Sequence, residues 1–426
     1  MSKDKFTLDN NSEEDVNNTQ ASGEIKASKE EIHTADAIQA EEGNTSEECN
    51  TSDEGITAND EVDMKAENQS DTEPIATAKK FKFNMNKIIR ILCMIGFVVF
   101  LALFINDAII QPYRIKKSID LTRELYKKPT EGPIATPFPT QAPADDVTMV
   151  PAPTVVAATP TPDPNRDAQG RLLQFKDLLA TNDDVKGWLT IPDTNIDYVV
   201  MQSGADNPDY YLTKDINKDY SKAGTLYLDF RPSIEKNAQN LVIYGHNMVS
   251  TTEKMFHYLL DYKKVSYYKK HPLITFDTIY NTGKWKIFSV FITTPNIDKE
   301  YFFDYRKSTF TDSSDFLNFV YQLRIRSVLN IDTVDIKEND QLLMLSTCSY
   351  EVDNNYRTVI VARKVRDGED PKIDVDSVTD NEKPLYAEDY YNRNGGKAPE
   401  LAATFEEALS NGDINWYTPS SGNAAE

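Results

Sequence analysis

Apolar residues are scarce over the first 78 positions, where Phe6 is the single aromatic and Glu, Asp, Ser, Thr and Asn predominate. Such a stretch cannot bury enough apolar surface to offset its conformational entropy, which predicts a disordered tail. The pattern then inverts. Lys79, Lys80, Lys82, Lys87 and Arg90 form a basic cluster, and 91–105 runs without a polar side chain. Adding Ile88 and Ile89 gives 18 positions with one arginine near the end, where it can snorkel. About 20 apolar residues cross a bilayer, so 88–110 is predicted to be a transmembrane helix. The basic flank places residues 1–87 in the cytoplasm and the residues beyond the helix outside the cell. A spacer is predicted over 111–165. Its 129–164 portion holds ten of the 21 prolines, interleaved with Thr and Ala, and favours an extended polyproline-type chain.

From Arg166 the pattern becomes globular. Leu172, Phe175 and Leu179 recur at helical spacing and predict an amphipathic helix over 167–180. Short β-type runs then appear at 188–191, 197–201, 225–230, 240–244, 285–293, 341–345 and 358–362, separated by turn residues. Several strands with few long helices predict a mainly β domain over 166–365, a closed or nearly closed barrel or a sandwich. One helix interrupts them: Phe316, Phe319, Val320 and Leu323 share a face behind a cap at Asp312 or Ser313. The polar extension over 366–426 carries a predicted short helix near 399–409, with Pro399 at its start and Gly412 beyond its end.

Composition adds two exclusions. The 426 residues carry a formal charge of −22, and residues 1–78 hold 21 acidic against 5 basic side chains, so most of the acidity sits in the tail. Nucleic-acid binding requires Lys and Arg to displace counterions, and no basic stripe supplies them. No zinc-ligand spacing or Walker-type glycine loop is present, and no cofactor or metal is expected. The three cysteines, Cys49, Cys93 and Cys348, lie in three different regions. The part beyond the apolar run therefore has one thiol and no internal disulfide.

That thiol sits where chemistry is accessible. Cys348 follows the apolar run 343–345 by Ser346 and Thr347, and Arg357 opens the next run. If the two strands form an antiparallel hairpin, Cys348 and Arg357 lie about 5 Å apart across the ladder. His246 follows Gly245 just past the end of another strand and is thus presented at a rim; only the fold can bring it to the pair. A thiolate is a nucleophile, and nearby cations favour it. Histidine moves protons near neutral pH. Arginine stays charged and can hold an oxygen on which negative charge develops. Together the three suit acyl transfer through a thioester. His257, in a predicted helix, and His271, before a proline, read as structural. No acidic partner for the histidine is evident.

These pieces resemble a sortase, the membrane-anchored cysteine transpeptidases of Gram-positive bacteria, and most closely class B. The resemblance runs through Val185-Lys186-Gly187-Trp188-Leu189, Ile191-Pro192-Asp193-Thr194-Asn195-Ile196-Asp197-Tyr198, Asp209-Tyr210-Tyr211-Leu212 and Ser221-Lys222-Ala223-Gly224-Thr225. It continues with Ile243-Tyr244-Gly245-His246, Leu345-Ser346-Thr347-Cys348 and Arg357-Thr358-Val359-Ile360-Val361-Ala362, in the family's His, Cys, Arg order. It implies an eight-stranded sortase β-barrel, His246, Cys348 and Arg357 as the catalytic set, and Ser346, Thr347 and Tyr244 along the substrate groove. The helix at 316–323 resembles the class B insertion. The implied partners are secreted proteins bearing a C-terminal sorting signal, cut after threonine, and an amine of a peptidoglycan precursor that receives the acyl group. The alternatives are a pilin-polymerising sortase, whose acceptor is a lysine on another subunit, and a catalytically silent surface protein that binds peptides. The long tail, the spacer and the C-terminal extension depart from a typical member.

Overall fold

Helix α1 (Met85–Ile105) buries no side chain, and by length and composition it can cross a bilayer. In this computed structural model the described residues are 85–128, 163–235, 238–248, 254–353 and 355–419. The acidic tail and the proline-rich stretch lie outside them. Beyond α1 the helix does not give way to a spacer. One π-type turn (Asn106–Ile110) leads into α2 (Gln111–Leu125). The wider turn falls just ahead of Pro112, which has no N–H for an i−4 bond. The predicted boundary at 111 is therefore corrected. The cause is a sparse apolar stripe among charges: Ile115 and Thr122 are buried, Ile119 is partly so, and all three fall on one helical face. Tyr126 completes the docking. Its ring stacks on Trp188 at 4.3 Å and 7°, and its hydroxyl donates to Asp277 Oδ2 at 2.9 Å.

The globular part opens with α3 (Lys176–Thr181), reached through a short 3₁₀ turn at Leu173–Phe175. It then lays down β1 (Val185–Thr190), β2 (Asp197–Met201), β3 (Leu226–Leu228) and β4 (Asn240–Tyr244). A 3₁₀ segment (His257–Lys263) and α4 (Val265–Tyr268) precede β5 (Leu273–Thr278) and β6 (Lys284–Thr293). Helix α5 (Ser313–Ile325) starts at Asp312, whose side chain accepts from Asp315 N and so settles which residue is the cap. Next come β7 (Leu329–Asn330), β8 (Leu342–Cys348) and β9 (Arg357–Lys364). Eight strands close a barrel in the order β1-β2-β3-β4-β8-β9-β6-β5. Closure resolves the choice between barrel and sandwich and leaves no long edge unpaired. The β2–β3 and β4–β8 pairs are parallel, and the other neighbours are antiparallel. Strand β5 has no counterpart among the seven predicted runs. Its Asp277 and Thr275 break the apolar pattern, and the burial of Ile274 and Phe276 is a product of barrel closure.

Strands β6 and β8 are buried almost throughout. Both faces are covered, one by the barrel interior and one by helices and loops, so they read as continuous apolar runs. The C-terminal residues complete that cover. Strand β10 (Thr379–Asp380) pairs with β7, and α6 (Glu388–Asn394) and α7 (Phe405–Asn411) follow. Ile373, Val378, Phe405, Ala408 and Trp416 join the main core, so the extension is part of the fold although its composition is polar. The last helix begins at Phe405, later than predicted, because the Thr404 side chain accepts from Glu407 N and caps it there. Gly412 ends it in the left-handed region, as its position after the helix suggested.

Candidate active site

The antiparallel β8–β9 ladder ends with Cys348 directly opposite Arg357. The hairpin geometry read from the sequence is thus the observed one. On its other side Arg357 lies opposite Thr293 of β6. Two backbone carbonyls, Asn355 O at 2.7 Å and Tyr356 O at 3.2 Å, accept from Arg357 Nη1 and hold the guanidinium near the barrel rim.

The parallel β4–β8 ladder carries the third residue. Its last pair is Tyr244 with Ser346, so His246 and Cys348 each lie two residues past that pair on neighbouring segments. Hydrogen bonds carry the alignment past the ladder. Gly245 N donates to Ser346 O at 3.2 Å, Thr347 Oγ1 to Gly245 O at 2.8 Å, and Asn247 Nδ2 to Cys348 O at 3.1 Å. Gly245 is required by space. A Cβ there would lie 2.4 Å from Leu226 Cδ2 and 2.8 Å from Phe256 Cδ2, both on fully buried side chains.

His246 Nε2 lies 3.0 Å from Leu212 O. A carbonyl only accepts, so Nε2 carries the proton and Nδ1 of the neutral ring is the nitrogen left to accept one. Burial lowers the imidazole pKa below the ordinary histidine value; the Leu212 carbonyl pulls it up and the charge of Arg357 pushes it down. The orienting partner that the sequence did not reveal is therefore a main-chain oxygen and not a carboxylate. Leu212 is itself held by a close turn. Gly224 has φ +58°, and a Cβ there would meet Leu212 O at 2.2 Å. No side-chain motif announces a carbonyl, and the only trace in the sequence is the glycine that lets the chain approach it.

The remaining sequence-predicted residues sit beneath or beside this trio. Ser346 and Thr347 are each 1% exposed. Ser346 Oγ pairs with the Tyr305 hydroxyl at 2.9 Å, and Thr347 Oγ1 is committed to Gly245 O. They brace the ends of β4 and β8, and both hydroxyls are engaged within the fold. Strand burial on both faces is the reason. Tyr244 is half-buried, and its hydroxyl donates to Asp229 Oδ2 at 2.9 Å, which Arg231 also engages. His257 lies outside the trio but is linked to it. Asn247 uses its amide nitrogen on Cys348 O, so its oxygen accepts from His257 Nδ1 at 2.8 Å. Two tyrosines that the sequence did not single out flank the pair. Burial raises the pKa of the Tyr227 and Tyr350 phenols, with Arg357 pulling the other way, and Tyr227 donates to Asp209 Oδ1 at 2.9 Å.

Residues 189–365 match the sortase domain model. Sortase B of Staphylococcus aureus (strain NCTC 8325 / PS 47) is 31% identical over 192 residues, which span 45% of this chain and 74% of the relative. Sortase B of Listeria monocytogenes serovar 1/2a (strain ATCC BAA-679 / EGD-e) is 32% identical over 192 residues with the same coverage. A solved Staphylococcus aureus sortase B–substrate complex is 30% identical, with 46% of this chain and 85% of that one aligned at a TM-score of 0.40. The barrel, the order of the three residues along it and these two relatives agree: the chain belongs to the sortase family, with class B sortases among its relatives.

Proposed function

We propose that this chain is a membrane-anchored cysteine transpeptidase that joins secreted proteins to the cell wall. The observation that carries this reading is the pairing of Cys348 with Arg357 across the β8–β9 ladder, and the parallel β4–β8 pairing that ends two residues before His246 and Cys348 supports it. In the proposed cycle the Cys348 sulfur attacks the carbonyl carbon of the scissile peptide bond as His246 Nδ1 accepts the thiol proton. Arg357 donates to the oxygen on which negative charge develops. The C–N bond then breaks, the leaving amine takes the proton back from His246, and a thioester remains on Cys348. An incoming amine attacks that thioester. The new amide bond forms as the C–S bond breaks, and the amine's spare proton passes to the sulfur by way of His246. A neutral, buried imidazole fits the first step, because it can accept a proton at neutral pH.

The substrate class in this proposal is a secreted protein bearing a C-terminal sorting signal, and the acceptor is a peptidoglycan precursor amine. Residues 88–110 hold the enzyme in the membrane, with residues 1–87 inside the cell. On intact cells a protease added outside is expected to leave residues 1–78 uncut, and cleavage there would reverse the topology.

The deciding experiment places the full chain in detergent with a pool of sorting peptides and takes intact masses, beside Cys348→Ala. An acyl adduct on the wild-type chain that is absent from the variant supports the thioester route, and its mass names the peptide accepted. An adduct that persists in Cys348→Ala sinks it.

A further inference from the structure

The C-terminal extension, which begins after the residues matched to the sortase domain, reaches back to the segment joining Cys348 to Arg357. That segment is closed at its base by Ser349 N donating to Tyr356 O at 2.8 Å. Its interior is a small apolar cluster separate from the main core: Val352 and Tyr356 from the segment pack with Ala387 and the partly buried Tyr390. Tyr356, the residue immediately before Arg357, is fully buried there. Ala387 is the residue preceding α6, and Tyr390 lies on that helix. Arg393, also on α6, donates from Nη1 to Val352 O. The extension is in turn fastened to the body. Lys299 and Asp389 pair at 2.8 Å, Glu388 N donates to Glu300 O at 3.1 Å, Leu385 N to Ile325 O at 2.9 Å, and Asn381 Nδ2 to Ser327 O at 2.7 Å. Tyr386 stacks on Tyr390 at 3.7 Å and stiffens the approach to the helix.

The consequence for the site follows from the bonds of Arg357. Its Nη1 donates to Asn355 O and Tyr356 O, so the guanidinium takes its position from the same segment that α6 holds. On the opposite flank the Lys263–Glu351 pair also tethers the segment. Between α6 and the segment lies a cavity of about 490 Å³, bordered by Thr294, Val352, Asp353, Asn355, Asp389 and Arg393. Without the helix, Tyr356 and Val352 would lose the apolar cover that Ala387 and Tyr390 give them.

We propose that α6 is a clamp for Arg357, in which Arg393 and Tyr390 are positioning residues that act through Val352 and Tyr356. This rests on the role proposed above for Arg357. A clamp of this kind sets the rate of the acyl-transfer step and leaves peptide affinity alone, because both residues bond to or pack on the segment and reach Arg357 only through it.

The test uses the full chain in detergent and compares wild type, Arg393→Ala, Arg393→Lys and Tyr390→Ala. A displacement on the order of 1 Å can cost about 100-fold in rate; loss of one of two fastenings is expected to cost about tenfold. The expected result for Arg393→Ala is that drop in kcat for peptide acylation, with KM unchanged within about twofold and the same thermal midpoint. Arg393→Lys, which keeps a donor for Val352 O, should recover most of the rate. Tyr390→Ala should show the same split and serves if Arg393→Ala does not fold. An unchanged kcat overturns the clamp, and so does a loss confined to KM or one matched by a fall in the thermal midpoint. If the wild-type chain forms no acyl-enzyme, the functional reading fails separately. The clamp is then read from iodoacetamide labelling of Cys348, followed by peptide mass. A guanidinium that drifts from the thiol should slow labelling about threefold at neutral pH, and an unchanged or faster rate overturns it.

Discussion

Replacing Gly245 by alanine tests whether backbone contact between β4 and β8 brings His246 to the thiol. The added Cβ would lie 2.4 Å from Leu226 Cδ2 and 2.8 Å from Phe256 Cδ2. Both side chains are 0% exposed, so neither can swing into solvent. Overpacking of this kind costs about 1–3 kcal/mol. Gly245 does not have a positive φ, so alanine also restricts the unfolded chain and returns about 0.4–1 kcal/mol. The clash is the larger effect, and net destabilisation on the order of 1–2 kcal/mol is expected. The rate should suffer more than the stability. Relief of the clash moves the backbone that bonds Ser346 O and Thr347 Oγ1, and His246 is the next residue. A shift of about 1 Å at a reacting group can cost about 100-fold. The assay is thermal unfolding together with the rate of acyl-enzyme formation. Gly204→Ala is the control, because a Cβ there meets nothing within 4 Å and that glycine also lacks a positive φ. If Gly245→Ala behaves like Gly204→Ala in both measurements, close contact at Gly245 does not place His246.

Three further outcomes are expected. Arg357→Lys should lose about 100-fold or more in acylation rate, the scale of one missing oxyanion donor, since an ammonium cannot hold Asn355 O and Tyr356 O and also face the substrate; a near-wild-type rate in steady-state kinetics would remove it from that role. The acidic limb of the kcat/KM profile should fall below pH 6.5. Burial holds the His246 pKa under that ordinary value, and the imidazole stops accepting protons only once pH drops through its own lower pKa. A limb at or above 6.5 would assign the base elsewhere. Tyr126→Ala should destabilise the domain by about 3–5 kcal/mol through the lost ring stack on Trp188, with the bond to Asp277 lost as well. Chemical denaturation of wild type and variant measures it, and a change under about 1 kcal/mol would mean that α2 is not integral to the fold.

The extension shows how far polar composition can mislead. Ile373, Val378 and Trp416 are buried, yet they are spaced along the chain with no helical or strand period. Only Phe405 and Ala408, three apart on α7, share a face, so most of the extension's buried residues leave no pattern in the sequence. The stripe on α2 failed in the same way, with Ile115 and Ile119 set among lysines and arginines. Strand β5 was hidden because alternate positions carry Thr and Asp, which the barrel tolerates once Asp277 accepts from Tyr126 and Gly283.

The features legible in the sequence are local ones. Apolar runs specify β4, β6, β8 and β9, because strands covered on both faces need no polar alternation. An eight-residue gap between Cys348 and Arg357 specifies a hairpin that sets the two opposite one another, and the structure has that register. The family motifs placed His246 in the same set, but its approach to the end of β8 depends on β4 running parallel to β8, a pairing between residues about a hundred positions apart. Tertiary structure alone supplied the Leu212 carbonyl that selects the imidazole tautomer, the Asn247 bridge from His257 to Cys348 O, and the α6 contacts on Val352. Three of these four interactions run to main-chain oxygens. Every residue carries that oxygen, so no choice of side chain records which one the fold will use.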